Sequence, residues 1–373
     1  GGGSPGPVDL IVSTRRMDGV VTYEPADLTL TAGAGIELDE LVRSTAEHGQ
    51  WLPADPPGGG EGSLGATVAT ASGGFLRTRY GSLRDLTLGL TLVTGDGRVL
   101  RLGGRVVKNV AGFDLVRLAV GSWGTLGLVT EVTVLLQPRP PATVRLWQRA
   151  EGLEPLCASA SAAADAPFLP ASVEMRETGE DGGRRGVLTV TLHGPDASVR
   201  SEARTLREAA PALEEMPADV DGPEDTPDPD LVVRMRLPAG DPRALVEAAR
   251  TLGRLDGARE NVLAGAPVQH RIDPLAGLAR VVVPEVRTDG AWPDRWATHL
   301  VDLRRTLVGR GGGLTVEVAP ASIEEGAGAW RAPGRTEAEL SRRLRSSFDP
   351  AGVLVPGRLA GRGARTPVAE AAG

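Results

Sequence analysis

The chain has 373 residues, 24% of them charged and 41% hydrophobic, and carries a net charge of −7. That length accommodates two or three domains with a substantial core, and the negative balance gives no general attraction for nucleic acid or anionic membrane. One cysteine, Cys157, excludes an intrachain disulfide and an iron–sulfur cluster held by this chain's own thiolates, and no run of about 18 apolar residues is present to span a bilayer.

The opening GGGSPGP offers successive backbone N–H groups and the Ser4 hydroxyl to a phosphate, and it reads equally as a linker. Residues 8–138 then alternate short β-type runs (VDLIVST, GVVTYEP, LTLTAGAG, LTLGLTLVT, RVLRLG, GLVTEVTVLLQ) with helical stretches. In IELDELVRSTAEHG the spacing of Ile36, Leu38, Leu41, Val42 and Thr45 predicts a helix, closed by His48 and Gly49. Glycine clusters recur between the strands, in PADPPGGGEGSLGATVATASGG, RYGSLRD, VTGDGRVLRLGG and VVKNVAGFDLVRLAVGSWGTLG. Bare peptide N–H groups in such turns suit a long, flat-ringed ligand that carries a diphosphate, because no side chain keeps it away.

Two stretches imitate a dinucleotide fingerprint. Leu38 takes the third glycine's place after Gly33 and Gly35; Gly60, Gly62 and Gly65 fit the spacing but follow PADPP rather than a strand. Neither has the strand–turn–helix context of a nicotinamide site, and no P-loop is present. SLGATVATASGG reads either as small groups laid against a ring system or as a small-residue helix packed in a core. Lys108 and Asn109 could steady a phosphate or cap a loop, and Arg79 and Tyr80 could meet a ligand or serve structure. Pro138, Pro140 and Pro141 mark a boundary.

From 143 to 319 one rhythm occurs twice. TVRLWQ, an alanine-rich helix at 153–165, ASVEMR, GVLTVTLHG and ASVRSEARTLREAA form the first pass, whose last strand is poorly marked. After the acidic loop DVDGPEDTPDPD come LVVRMRLP, DPRALVEAARTLGRL, VLAGAPVQHRI, LARVVVPEV, PDRWATHLVDLRRTLVG and LTVEVAP. The order is β-α-β-β-α-β, the ferredoxin-like pattern, in duplicate. Cys157 lies on the alanine-rich helix as a small apolar residue or a redox thiol. His48, His193, His270 and His299 form no metal-type pair, and no nucleophile elbow is present. SRRLRSSFDPAGVLVPGRL closes the chain with a helix, whose Arg342, Arg343 and Arg345 belong on a solvated face, and a turn; the rest is expected to be a flexible tail.

In this order, GGGS, LPADPP, GSLGATVATASGG, RYGSLRDLTLG, GDGRVLRLGG, GSWGTLGLVTEVT and FDPAGVLVPGR resemble the PCMH-type FAD-binding (vanillyl-alcohol-oxidase) flavoproteins, and VVKNVAGFDLVRL is similar to the FAD-binding E-type subunit of bacterial glycolate oxidase. The resemblance implies an α+β chain: an FAD-binding domain over 1–140, a cap of duplicated ferredoxin-like units over 141–335, a segment at 336–360 that returns to the FAD domain, and a tail at 361–373. It implies that Gly1, Gly2, Gly3 and Ser4 hold the diphosphate. Pro53, Asp55, Ser63, Leu64, Gly65, Ala69, Gly73 and Gly74 would surround the ribityl chain and ring, joined by Tyr80 and Arg358, and Gly127, Leu128 and Val129 would meet the adenine side. No His or Cys occupies the tethering position, so the FAD is expected to be non-covalent.

Three departures accompany the resemblance. The lobe that precedes GGGS in the family is not in this sequence, Val355 stands where an asparagine is usual, and the histidine pair of catalytic relatives is replaced by isolated histidines. The implied activity is hydride transfer from a small 2-hydroxyacid to flavin, within a complex that also holds a catalytic flavoprotein subunit and an iron–sulfur subunit. No metal site, nucleic-acid partner or transmembrane segment is expected, and the implied location is cytoplasmic, including a peripheral place at the inner membrane face through partner subunits. A flavin-free assembly subunit and a stand-alone oxidase are the alternatives, and the catalytic residues are left open.

Overall fold

The computed structural model describes residues 9–57, 60, 62–104, 113–180, 183–217, 229–253, 268–328 and 335–355. Gly1 to Ser4, Lys108, Asn109, most of the acidic loop, Arg358 and the tail lie outside the described residues. Two sheets organise the rest. The first lobe contains β1 (Val20–Glu24), β2 (Thr29–Gly33), α1 (Leu38–Ala46), β3 (Gln50–Trp51), α2 (Leu64–Thr70), α3 (Arg77–Tyr80), α4 (Leu83–Leu86), β4 (Thr87–Val93), β5 (Val99–Gly103), α5 (Leu115–Ala119), β6 (Leu128–Leu135) and β7 (Gln137–Pro138). Its antiparallel sheet has the order β1-β2-β6-β4-β5, with β3 and β7 paired separately.

The second part supplies β8 (Ala142–Glu151), α6 (Cys157–Ala164), β9 (Ser172–Glu180), β10 (Gly183–Gly194), α7 (Asp196–Ala209) and β11 (Glu214–Glu215), then β12 (Leu231–Arg236), α8 (Pro242–Gly253), β13 (Gln269–Asp273), β14 (Leu278–Val283), α9 (Trp292–Gly309) and β15 (Gly313–Val318). Its sheet runs β11-β8-β10-β9-β13-β14-β12-β15. Each half has the 4-1-3-2 order of a ferredoxin-like unit, and the halves join through their second strands, β9 against β13. The duplication expected from the sequence is therefore present, and the poorly marked strand is the two-residue β11. Helices α10 (Ala321–Ala327) and α11 (Arg335–Phe348) follow. The chain then returns to the first lobe: the Gly95 N–H donates to Phe348 O (2.9 Å) and Arg98 Nη2 to Ser347 O (2.8 Å).

Strand alternation sorts the large sheet into two faces. Val173, Met175, Leu188, Val190, Val233, Met235, Ile272, Ala279 and Val281 are buried together in the core shared with the helices. Cys157 is a free, buried thiol on this side, as a small apolar residue would be. Glu177 is also buried here, with Arg250 Nη2 at 3.2 Å and His270 Nδ1 at 3.5 Å. His270 thus serves the helix-side core rather than a cleft.

Two sequence expectations change. VDLIVST forms no strand: residues 9–18 are irregular and Leu10, Ile11 and Val12 are 78%, 84% and 59% exposed, because no described strand pairs with them. Val42, counted in the apolar stripe of α1, is exposed at its margin.

SLGATVATASGG folds as the packed small-residue helix α2, with Leu64, Gly65, Thr67 and Val68 buried. Ser63 caps it by accepting from the Ala66 N–H. A β-carbon on Gly65 would stand 2.5 Å from Ala34 Cβ and 2.7 Å from Ala34 O. Gly65→Ala is therefore expected to lower stability by about 1–3 kcal/mol through overpacking against backbone, read as a reduced urea midpoint with unchanged slope.

Candidate functional site

The backbone around α2 settles how its glycines are used. The Leu64 N–H donates to Ile36 O (2.9 Å), the Gly65 N–H to Ala34 O (2.8 Å), and the Gly33 and Gly35 N–H groups to Gly19 O and Met17 O. These amides are not bare, so Leu64 and Gly65 have no free backbone donor to offer a ligand. Here glycine permits close approach of one backbone to another, and those contacts consume the donors. The Leu64 side chain lies fully in the core. The Ala69 carbonyl accepts from the Trp123 N–H (2.8 Å), which ties GSWG to the end of α2. Leu128 and Val129 lie opposite Val93 and Leu92 in the β4–β6 ladder, and a β-carbon on Gly127 would meet Leu92. Val355 packs toward Gly124, with Cγ2 3.5 Å from where a β-carbon would sit there.

A different set of the expected residues converges where the first lobe meets the large sheet. Pro53 is buried and Asp55 half-buried. The Asp55 carboxylate accepts from the N–H groups of Phe75 (2.8 Å) and Leu76 (3.3 Å), and this folds 53–55 over 73–76. A β-carbon on Gly74 would strike Asp55 O at 2.0 Å, so only glycine fits that crossing, whereas one on Gly73 would meet nothing within 4 Å. Among the described residues, the N–H groups of Gly73 and Gly74 donate to no protein acceptor.

Beyond Gly74 the chain docks onto the sheet. The Phe75 ring lies under the Arg271 guanidinium (5.2 Å to the centroid). Arg79 donates to the carbonyls of Leu169 and His193, and a 2.7 Å hydrogen bond joins Tyr80 Oη to His193 Nδ1. Trp51 completes a three-ring cluster with centroids 5.6 Å from Tyr80 and 6.0 Å from His193. Burial pushes the His193 imidazole down to about 4, assisted by the charges of Arg79 and Arg145, so it is neutral at neutral pH. Tyr80, expected to meet the cofactor, holds this strap together through its hydroxyl.

The sheet face turned away from the helices is charged. Cross-strand register places Arg176 opposite Arg271, Arg271 opposite Arg280, and Arg280 opposite Arg234, a row of four guanidinium groups on β9, β13, β14 and β12. Glu174 pairs with Arg176 and with Arg271 (3.1 Å), and Glu317 with Arg280 (3.0 Å) and Arg234 (3.3 Å). Like charges side by side on one sheet face destabilise it. The two glutamates carry half the charge of the four guanidinium groups they pair with, so the row is net positive. Sequence reasoning passed over these residues. The available signal was arginine recurring in the apolar runs VEMR, QHRI, LARVVV and LVVRMR.

Asp273 shares this face with Arg271 and is only 4% exposed. Its Oδ1 accepts from the Ala276 N–H (3.0 Å), while Oδ2 is buried with no protein partner, as is Trp51 Nε1. Burial pushes Asp273 up to about 7, against the Ala276 and Leu275 N–H groups and the Arg77 charge, with the Asp55 charge adding to the rise. Asp55 is pushed up to about 6 by burial, in spite of its two backbone donors, with the Glu174 charge adding to the rise. The junction thus presents the undonated amides of Gly73 and Gly74, while Trp51 Nε1 and Asp273 Oδ2 are fully buried without a protein partner. That mix of donors and acceptors fits the polar edge of a flavin ring.

Comparison with known proteins bears on the first lobe as a whole. Residues 2–103 match the FAD binding domain family. The chain is 45% identical over 136 residues to glycolate oxidase subunit GlcE of Escherichia coli, covering 36% of this chain and 39% of that protein. It is 33% identical over 174 residues to glycolate oxidase subunit GlcD of Bacillus subtilis (47% and 37% covered), and 39% identical over 139 residues to D-2-hydroxyglutarate dehydrogenase of Xanthomonas citri pv. viticola (37% and 29%). The matched stretch thus spans less than two fifths of these curated relatives. In three dimensions the fold is that of alkyldihydroxyacetonephosphate synthase, with a TM-score of 0.66, 17% identity, and coverage of 92% of this chain and 67% of that one. Among the described residues no group of three His, Cys, Asp or Glu side chains is placed to hold a metal, and no helix is long and apolar enough to cross a membrane.

A carboxyl whose pKa rises on folding keeps its proton in the folded chain after the unfolded chain has lost it. Its contribution is fully present below about pH 4 and is lost as the pH climbs through the folded values near 6 and 7. Asp273→Asn, which keeps an oxygen for Ala276, is therefore expected to gain stability relative to the parent chain between about pH 5 and 8 and to match it near pH 4. Urea unfolding across that range checks this.

Proposed function

We propose that this chain, a PCMH-type flavoprotein by its FAD binding domain and its fold, is the FAD-binding subunit of a complex that oxidises a small 2-hydroxyacid of the glycolate type. The observation that carries the reading is the arginine row. It places four guanidinium groups, each paired with a glutamate, on the sheet face against which Phe75 of the segment 73–76 packs, a net positive setting that a carboxylate can join, at the same junction where Gly73 and Gly74 offer donors to a ring. A substrate with a carboxylate beside its carbinol carbon can use both features at once.

In this reading Pro53, Asp55, Gly73 and Gly74 border the flavin ring. Ser63, Leu64, Gly65 and Ala69 form the layer beneath them and fix their position through α2. Gly1 to Ser4 and Gly127 to Val129 are assigned to the nucleotide part, and Arg358 to the flavin side, on the family resemblance. Bound FAD supplies the acceptor for the substrate's hydride, and the chain's work is to bind, orient and exclude water. Arg271, held flat by Phe75 and Glu174, orients the carboxylate. In this reading an iron–sulfur subunit would accept the electrons that a bound FAD supplies, with a second flavoprotein subunit beside this one. Relatives bearing the names of glycolate oxidase subunits support a multi-subunit assembly.

The test is spectroscopic. The full chain, purified with any partners that accompany it, should be yellow, release FAD on denaturation, and lose flavin absorbance anaerobically with glycolate or D-lactate. Arg271→Gln should retain the flavin and raise the hydroxyacid concentration for half-maximal bleaching roughly 10-fold or more, as for loss of a charged hydrogen bond. A colourless chain in a tight complex would sink the flavoenzyme reading and leave the assembly role.

A further inference from the structure

We propose that Asp273 is a catalytic residue of this junction, the group whose carboxylate receives the hydroxyl proton of the 2-hydroxyacid. The inference rests on the functional reading above and adds what that reading lacks, a base. Asp273 and Arg271 are two residues apart on β13, so their side chains leave the same face with Cα atoms about 7 Å apart. That is the span of a small molecule hydrogen-bonded at both ends. Oδ1 is committed to the Ala276 N–H, and Oδ2 is buried without a partner. An orphaned carboxyl oxygen in a buried position is costly, and a ligand hydroxyl would satisfy it.

The burial comes from the first lobe. Asp273 lies on the face away from the helices, and the charges that act on it are Arg77 and Asp55 of the first lobe. His270 and Glu177 alternate onto the opposite face. Asp55 raises proton affinity and Arg77 lowers it, and the outcome near neutrality is where a general base is most effective. The histidines do not compete for the role: His193 is held by Tyr80 and neutral, and His299 bonds to Thr251 O (3.0 Å).

The stoichiometry closes. The substrate R–CH(OH)–COO⁻ breaks its C–H and O–H bonds and forms the carbonyl of R–CO–COO⁻, a two-electron oxidation. The hydride reduces FAD, the proton goes to Asp273, and Asp273 returns it to solvent between turnovers.

Two measurements on the full chain with FAD test this. Oxalate, which places a carboxyl oxygen where the hydroxyl would sit, should bind with uptake of close to one proton above about pH 7, since its charge raises the proton affinity of Asp273. Calorimetry in buffers of different ionisation heat reads that uptake without turnover. Asp273→Asn should bind oxalate with no uptake, keep its FAD, and slow anaerobic flavin reduction about 100-fold or more, the usual scale for a lost base. Asp273→Glu should restore part of the rate. Oxalate binding without proton uptake in the parent chain, failure of oxalate to bind, or an Asp273→Asn rate within about 3-fold of the parent with the same pH profile would each overturn the proposal. A parent chain whose flavin no hydroxyacid reduces would instead take the functional reading down with it.

Discussion

The open face of the eight-stranded sheet cannot be left dry and unpartnered, and much of the molecule answers that constraint. Four guanidinium groups and three carboxyl groups share one side of five strands, at densities that an apolar cover would make prohibitive. The first lobe covers the face selectively. It lays Phe75 against Arg271, sends Arg79 to two backbone carbonyls, and seats Tyr80 on His193. Each contact satisfies a polar group while bringing a ring or a glycine close, so the junction is closed to bulk water at its margin and polar inside.

Such an arrangement is a poor way to maximise stability. Asp55 and Asp273 both have folded pKa values raised by burial, which means each resists ionisation in the folded chain. Replacing buried charges with apolar groups is often neutral or stabilising in proteins. Groups that violate local rules in this way concentrate at functional sites. The contrast with the helix side of the same sheet is instructive. There Glu177 is also buried, but Arg250 Nη2 and His270 Nδ1 lie beside it at 3.2 and 3.5 Å. One cluster is spent on structure, the other keeps an open valence.

Glycine plays two separate parts in the first lobe. Around α2 it lets backbone meet backbone: Gly33, Gly35 and Gly65 each donate to a carbonyl across the layer, which locks α2 beneath the sheet. At 73–74 it lets the chain cross Asp55, with Gly74 pressed against Asp55 and room beside Gly73. The rigidity of the first set is what holds the second in place, which is how a site gains precision from a packed scaffold.

Much of this was legible in the sequence. Period-two apolar runs and proline and glycine breaks gave most of the strands, and the repeated β-α-β-β-α-β order gave the duplicated unit, because those signals are local. The glycine series located the segments that build the flavin side of the junction. Three things were not legible. Whether an amide is bare depends on which carbonyl arrives from a distant strand, and Leu64 and Gly65 turned out to be occupied. VDLIVST has the composition of a strand, but a strand exists only where another pairs with it. The arginine row and Asp273 are scattered over a hundred residues, and only cross-strand register and the docking of the first lobe put them on one buried face. Local pattern fixes the elements, whereas charge, desolvation and register act between elements, and those are settled only when the chain has folded.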